Sequence, residues 1–229
     1  MTILLYDLVG KNVSRPFSPH CWKARMALAH KGLDFTAVPT RFLEVPHVEG
    51  GAKIVPVIRD GDKIVADSFA IAVYLDDAYP ERPTLFGGEG GKASARFIER
   101  WSQTQLHPFL GSVALMDIYR LQDAENMVYF RQSREARYGK PLEQVDAERD
   151  EHLPAFRKRL DPVRETLKYQ PYIGGSSPLF TDYIVFGALQ WARVSTSYPL
   201  LEDGDPVNAW FERCLDLFDG LGRRVAAAA

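Results

Sequence analysis

The stretch from Ser18 to Gly32, Ser-Pro-His-Cys-Trp-Lys-Ala-Arg-Met-Ala-Leu-Ala-His-Lys-Gly, constrains the fold more than any other, because both ends of a helix are written into it. Ser18 is a strong N-cap, its hydroxyl able to accept a hydrogen bond from an otherwise unpaired amide of the first turn. Pro19 falls at the first helical position, where its missing N–H costs nothing and its fixed φ already suits a helix. Lys31 suits the negative end of the helix dipole, and Gly32 supplies a left-handed stop. Ahead of it, Ile3-Leu4-Leu5-Tyr6-Asp7-Leu8-Val9 is an apolar run of strand length. A strand, a loop and a capped helix start make a place where an anion can sit against free amides.

Asp34-Phe35-Thr36-Ala37-Val38 reads as a second strand, completing a βαβ unit with a parallel pair. Ile54 to Ile58 and Lys63 to Ala66, around Asp60-Gly61-Asp62, read as a hairpin. Pro56 would break a central ladder, so its strand is expected at an edge or with a local exception. Asp67-Ser68 opens a helix that stops at Pro80. Pro80-Glu81-Arg82-Pro83 and the glycines at 87, 88, 90 and 91 mark a boundary, beyond which everything reads helical. Pro154 and Pro162 are expected to divide residues 142–168 into shorter helices. Thr181 to Val194 is apolar on most sides and is the expected buried helix; Asp205-Pro206 starts the last one. The outcome is a small α/β domain followed by an all-helical one.

Charge narrows the partners. A net charge of −2 over 229 residues gives no electrostatic reason to bind nucleic acid or an anionic membrane. No apolar run approaches the roughly 18 residues of a membrane span, and no secretory signal is visible at the N-terminus. Two cysteines, Cys21 and Cys214, are too few for a disulfide scaffold, so a reducing cytoplasm is expected. The histidines at 20, 30, 47, 107 and 152 show no metal-ligand spacing.

The Ser-Pro helix start, the apolar-Val-Pro-apolar strand and the Asp-Ser helix start, in that order, resemble the cytosolic glutathione transferases over nearly the whole chain. Trp22, the run Ala27 to Gly32 and the run Asp216 to Arg223 resemble the bacterial β-etherase and fungal etherase-related branch. The resemblance implies a thioredoxin-like glutathione-binding domain at 1–80, a linker at 81–91 and a helical domain at 92–229 lining a hydrophobic substrate pocket. It implies that Ser18 is the catalytic serine. It also implies a cis Val55-Pro56 bond, with the Val55 backbone pairing with the glutathione cysteine, and Asp67-Ser68 on the γ-glutamyl end. Glutathione as co-substrate, a small hydrophobic electrophile such as a β-aryl ether, a detoxification role and a homodimer follow from the same resemblance. Two positions depart from the family pattern. Leu179 stands where a small polar cap usually precedes the Asp of the buried helix, leaving Thr181, Ser177 or a different helix start. Ile54 directly precedes Val-Pro where many relatives carry a basic or amide residue, with Lys53 one position away and no role assigned to it.

Ser18 would donate to sulfur without being a nucleophile itself. The bland reading is that it only caps a helix; Ser14 and Tyr6 are weaker candidates for its role. Cys21 lies three residues after Ser18, where disulfide chemistry uses the second Cys of Cys-x-x-Cys; with no first Cys, a packed thiol is expected. Arg131, Arg134 and Arg137 recur every three residues and read as a solvated helix face. Of Tyr119, Tyr129, Phe130, Tyr138 and Trp191, one or two are expected to face a substrate cleft. Two further functions stay open: a ligand-binding protein of the same fold without turnover, and a thiol oxidoreductase using Cys21.

Overall fold

The computed structural model describes residues 2–229. Strand β1 (Ile3–Leu8) leads to helix α1 (Pro19–His30) and strand β2 (Phe35–Thr40), and the two strands pair in parallel with Leu5 opposite Ala37. A short 3-10 stretch (Phe42–Gly50) follows. Strands β3 (Val57–Asp60) and β4 (Lys63–Ala66) form an antiparallel hairpin turning through Gly61-Asp62, with Gly61 at φ 57°. The sheet order is β2-β1-β3-β4, so β3 is internal and the edge placement expected from Pro56 does not hold. The exception is local: Pro56 follows a cis Val55–Pro56 bond and stands just ahead of the ladder, which begins at Val57.

Helix α2 (Ser68–Ala78) starts from Asp67, whose Oδ1 accepts from Phe69 N at 2.9 Å and Ala70 N at 3.0 Å. Helix α3 (Glu89–Trp101) runs through a π turn (Ser102–Leu106) into α4 (His107–Val113). Pro108 has no N–H to continue the regular ladder there, and the wider turn absorbs the gap. Then come α5 (Leu115–Arg120), α6 (Ala124–Tyr138), α7 (Leu142–Ala147), α8 (Arg149–Arg159) and α9 (Asp161–Leu167). Pro162 enters the first turn of α9 as expected, whereas Pro154 lies inside α8 and removes one backbone bond without ending it. Helices α10 (Phe180–Ser195) and α11 (Pro206–Gly220) complete the chain. No helix among the described residues is long and apolar enough to cross a membrane.

Helix α10 is buried along almost its whole length and packs on α1. Neither Thr181 nor Ser177 caps it; the N-cap position is Leu179, and Asp182 does the work from the first turn. Its carboxylate accepts from Ile173 N at 2.7 Å, Gly174 N at 2.8 Å, Leu179 N at 3.0 Å and Trp210 Nε1 at 2.9 Å. Where α10 crosses α1, Gly187 permits the close approach: a Cβ there would stand 2.5 Å from the Pro19 carbonyl oxygen. One continuous apolar cluster joins the sheet to the helices, with Trp22 edge-on to Phe186 at 6.1 Å. Buried ion pairs tie α1 to its neighbours, Lys23 to Glu99 at 3.0 Å and Lys31 to Asp76 at 2.9 Å. Lys31 therefore does more than face the helix dipole: it is buried against a carboxylate of α2, and removing either partner would strand a charge.

Candidate active site

The Ser18 N-cap is built as its sequence demands. Ser18 Oγ accepts from Cys21 N at 3.2 Å, and the preceding loop is fixed by Phe17 N to Leu8 O at 3.2 Å and Trp22 Nε1 to Pro16 O at 3.1 Å. Accepting that bond leaves the hydroxyl proton free to donate elsewhere. Ser18 opens onto a cleft of about 660 Å³. Val55 lines the same cleft, and its backbone N–H and C=O make no hydrogen bond among the described residues. The cis dipeptide is knitted to the next helix by Asp67 N donating to Pro56 O at 3.2 Å. Asp67 sits at φ 77°, a conformation costly for a non-glycine residue and the kind of outlier that accumulates at binding sites. Ser68 beside it is buried, and its Oγ has no partner, a polar group waiting for one at a helix N-terminus. Ser18 and Val55 thus share the cleft; Asp67 and Ser68 are outside its lining and join it through Pro56.

The helices supply the other wall. Tyr129, Phe130, Tyr138 and Trp191 all face the cleft, four of the five aromatic candidates where one or two were expected, and Tyr119 does not. Phe42 packs against Phe17 at 6.0 Å and Phe130 at 5.6 Å, connecting the loop ahead of Ser18 to α6. His20 and His107 also line the cleft, with ring centroids 5.2 Å apart. Burial, and then the Lys23 charge, pushes the His107 imidazole down to about 3. His20 is lowered in the same direction by burial, Lys23 and His107, so both rings are neutral at pH 7.

Two further residues depart from the sequence expectations. Arg134 is half-buried in the cleft lining instead of lying on a solvated face, whereas Arg137 is exposed at the same cleft and Arg131 pairs with surface carboxylates. Lys53, to which no role was given, lines it as well. Cys21 is completely buried, and burial, followed by the Asp7 charge, pushes its thiol well up, so it is an inert packed thiol. Ser14 is exposed, and the Tyr6 hydroxyl donates to Glu49.

Residues 93–216 match the family model for the glutathione S-transferase C-terminal domain, and residues 13–83 that for the N-terminal domain. Glutathione S-transferase Z1 of Arabidopsis thaliana is 42% identical over 69 residues, 28% of this chain and 31% of the plant protein, so that match spans under a third of the relative. The glutathione S-transferase-like protein ustS of Aspergillus flavus is 25% identical over 211 residues, covering 79% of this chain and 75% of the fungal one. The crystal structure of glutathione transferase GSTFuA3 from Phanerochaete chrysosporium superposes with a TM-score of 0.77 at 25% identity, over 96% of this chain and 92% of that one. With four mixed strands, a helical remainder and both domain models matched, the chain belongs to the glutathione S-transferase family.

Proposed function

We propose that the protein is a glutathione transferase that holds the glutathione thiolate at Ser18 and directs it onto a hydrophobic aromatic electrophile. The observation that carries this reading is the hydroxyl of Ser18 at the N-terminus of α1, opening on an aromatic-walled cleft that Val55 shares. A free thiol has a pKa of about 8.5, so only a small fraction is thiolate at neutral pH. Lowering it by one unit requires about 1.4 kcal/mol. A hydroxyl hydrogen bond to a charged acceptor contributes about 1.5–3 kcal/mol, and a helix N-terminus up to about 1 kcal/mol more. The two together are sufficient.

In this reading the Val55 backbone pairs with the cysteine of the tripeptide, Pro56 fixes that backbone, and Ser68 with Asp67 holds the γ-glutamyl end. The unpartnered Ser68 hydroxyl and the unbonded Val55 amide support those assignments. The thiol proton leaves to solvent, the thiolate forms a carbon–sulfur bond, and the leaving group departs with the bonding pair. The aromatic lining suits a two-ring β-aryl ether, in which the carbon–oxygen bond breaks and a phenoxide leaves. The proposal extends to a cytoplasmic homodimer acting in detoxification, all three on family membership alone; a sedimentation mass of one chain would remove the dimer.

Initial rates with glutathione and 1-chloro-2,4-dinitrobenzene, and phenol release from a β-aryl ether dimer, test the reading. Ser18→Ala is expected to lower kcat/KM by about 100-fold, the upper end of one charged hydrogen bond. Cys21→Ser should retain turnover. Equal activity in Ser18→Ala overturns the thiolate assignment. Glutathione binding with no turnover of any electrophile would leave a carrier of hydrophobic ligands.

A further inference from the structure

The cleft carries a charge imbalance that the proposed reaction does not use. Among the described residues its lining has three cationic side chains, Lys53, Arg134 and Arg137, and no aspartate or glutamate. The whole chain is slightly acidic, at −2, so the imbalance is local. Arg131 and Arg134, on the same helix α6, differ sharply in their surroundings. Arg131 pairs with Glu135 at 2.8 Å and Glu143 at 2.7 Å. Arg134, half-buried, has no carboxylate within ion-pair distance among the described residues; the Ser133 hydroxyl accepts one of its N–H groups at 2.9 Å.

A cation taken out of water without a counterion is costly. Burial, and then the neighbouring Arg137 charge, holds the Arg134 guanidinium below its usual range. What steadies it is stacking: it lies 4.6 Å from the Phe130 ring centroid and 5.2 Å from that of Phe42. Stacking occupies the faces of a guanidinium and leaves its edge, which matches a carboxylate in a paired geometry that no ammonium reproduces. Glutathione brings a carboxylate of its own at the glycine end. Lys53 stands two residues from Val55, on the wall assigned to the tripeptide, whereas Arg134 stands on the helical wall beside Phe130 and Tyr138.

We propose that Arg134 binds a carboxylate carried by the aromatic second substrate, so that the preferred electrophile is an aromatic acid and not a neutral arene. The inference rests on the transferase reading for the chemistry that follows, but the recognition it describes is a binding property of the cleft.

The test therefore uses an unreactive matched pair, 3,5-dinitrobenzoate and 3,5-dinitrobenzamide, titrated against the full chain by calorimetry with and without glutathione. The wild type should bind the acid about tenfold more tightly than the amide, and raising salt should narrow the gap. Arg134→Met should bring the acid-to-amide ratio close to one, and Arg134→Lys should restore part of it. The reactive pair 4-chloro-3,5-dinitrobenzoate and its amide should show the same ratio in KM, with the glutathione KM carrying none of it. A wild-type ratio of one or below overturns the proposal, as does a ratio that survives Arg134→Met. A rise in the glutathione KM in place of the acid's KM also overturns it, since the guanidinium would then serve the tripeptide. Loss of glutathione binding in the wild type strikes the transferase reading instead, and leaves the acid-to-amide ratio to be read on its own.

Discussion

On one side of the cleft Ser18 and Val55 present groups whose positions follow from the backbone: a capped helix start and the residue before a cis proline. On the other, Trp191, Tyr138, Arg134 and His107 come from α10, α6 and α4 and meet only because those helices pack as they do. The first wall is fixed locally and would survive small shifts of the helices. The second is a consequence of packing, so a displaced helix moves its chemistry. The binding of a constant tripeptide belongs on the first kind of wall, and selectivity among electrophiles on the second.

The largest expected effect comes from Asp182→Ala, which attacks the anchor of the helical wall. Four donors lose their acceptor, the Trp210 indole fully buried and the backbone N–H groups of Ile173, Gly174 and Leu179 partly so. Unsatisfied buried donors cost about 1–3 kcal/mol each, partly relieved by relaxation, so a loss of about 4 kcal/mol is expected. For a chain this size that lowers Tm by about 8–16 °C. A loss below about 1 kcal/mol in urea unfolding would break the claim that α10 is pinned at its first turn. Next is Gly187→Ala, where a Cβ would meet the Pro19 carbonyl at 2.5 Å. Overpacking of that kind costs about 1–3 kcal/mol. Because Pro19 adjoins Ser18, glutathione affinity should fall with stability; if stability falls and affinity does not, the two walls are more independent than described.

What was legible in the sequence divides along the same line. The caps at Ser18, Asp67 and Asp205, the stop at Gly32 and the hairpin at Gly61 are decided by neighbours a few residues away. Arg134 was not legible. Arginines spaced three apart look the same whether a helix turns them to water or to a cleft, and the choice depends on Phe42, far away in sequence. His107 and Trp191, whose rings lie 5.8 Å apart in space, are separated along the chain in the same way. Asp182 misled differently: Leu179 offers no side-chain acceptor, and the cap comes from a residue inside the helix that also reaches Trp210 on α11.

Ser68→Ala sharpens the comparison from the backbone-fixed side. Its buried hydroxyl has no partner, so removing it relieves a desolvated group and should leave stability within about 0.5 kcal/mol. Glutathione binding should weaken about tenfold, the worth of one hydrogen bond to a charged group. An unchanged dissociation constant by calorimetry takes Ser68 out of the binding wall.

The smallest effect tests where the walls meet, at the pair of His20 on α1 and His107 on α4. The His107 imidazole is held at about 3 by burial and then by Lys23, below the value of about 6.5 expected when unfolded. A depressed pKa means that the unfolded chain binds the extra proton, so the contribution of His107 is complete above pH 6.5. It is lost as pH falls toward 3. Between pH 6.5 and 5.5 the loss from His107 is on the order of 1 kcal/mol. His107→Phe keeps a ring against Trp191 and removes that titration, so the fall in urea-midpoint stability over this window should shrink by about 1 kcal/mol. His20 and His30, lowered in the same direction by burial, keep their share of the fall. Carboxylates contribute equally to both proteins and cancel in the difference. A slope identical in the variant would mean that His107 titrates in the folded cleft as it does in the unfolded chain. Below pH 6.5 the helical wall would then hold one more cation than Arg134 and Arg137, and selectivity for an acid there would no longer trace to Arg134 alone.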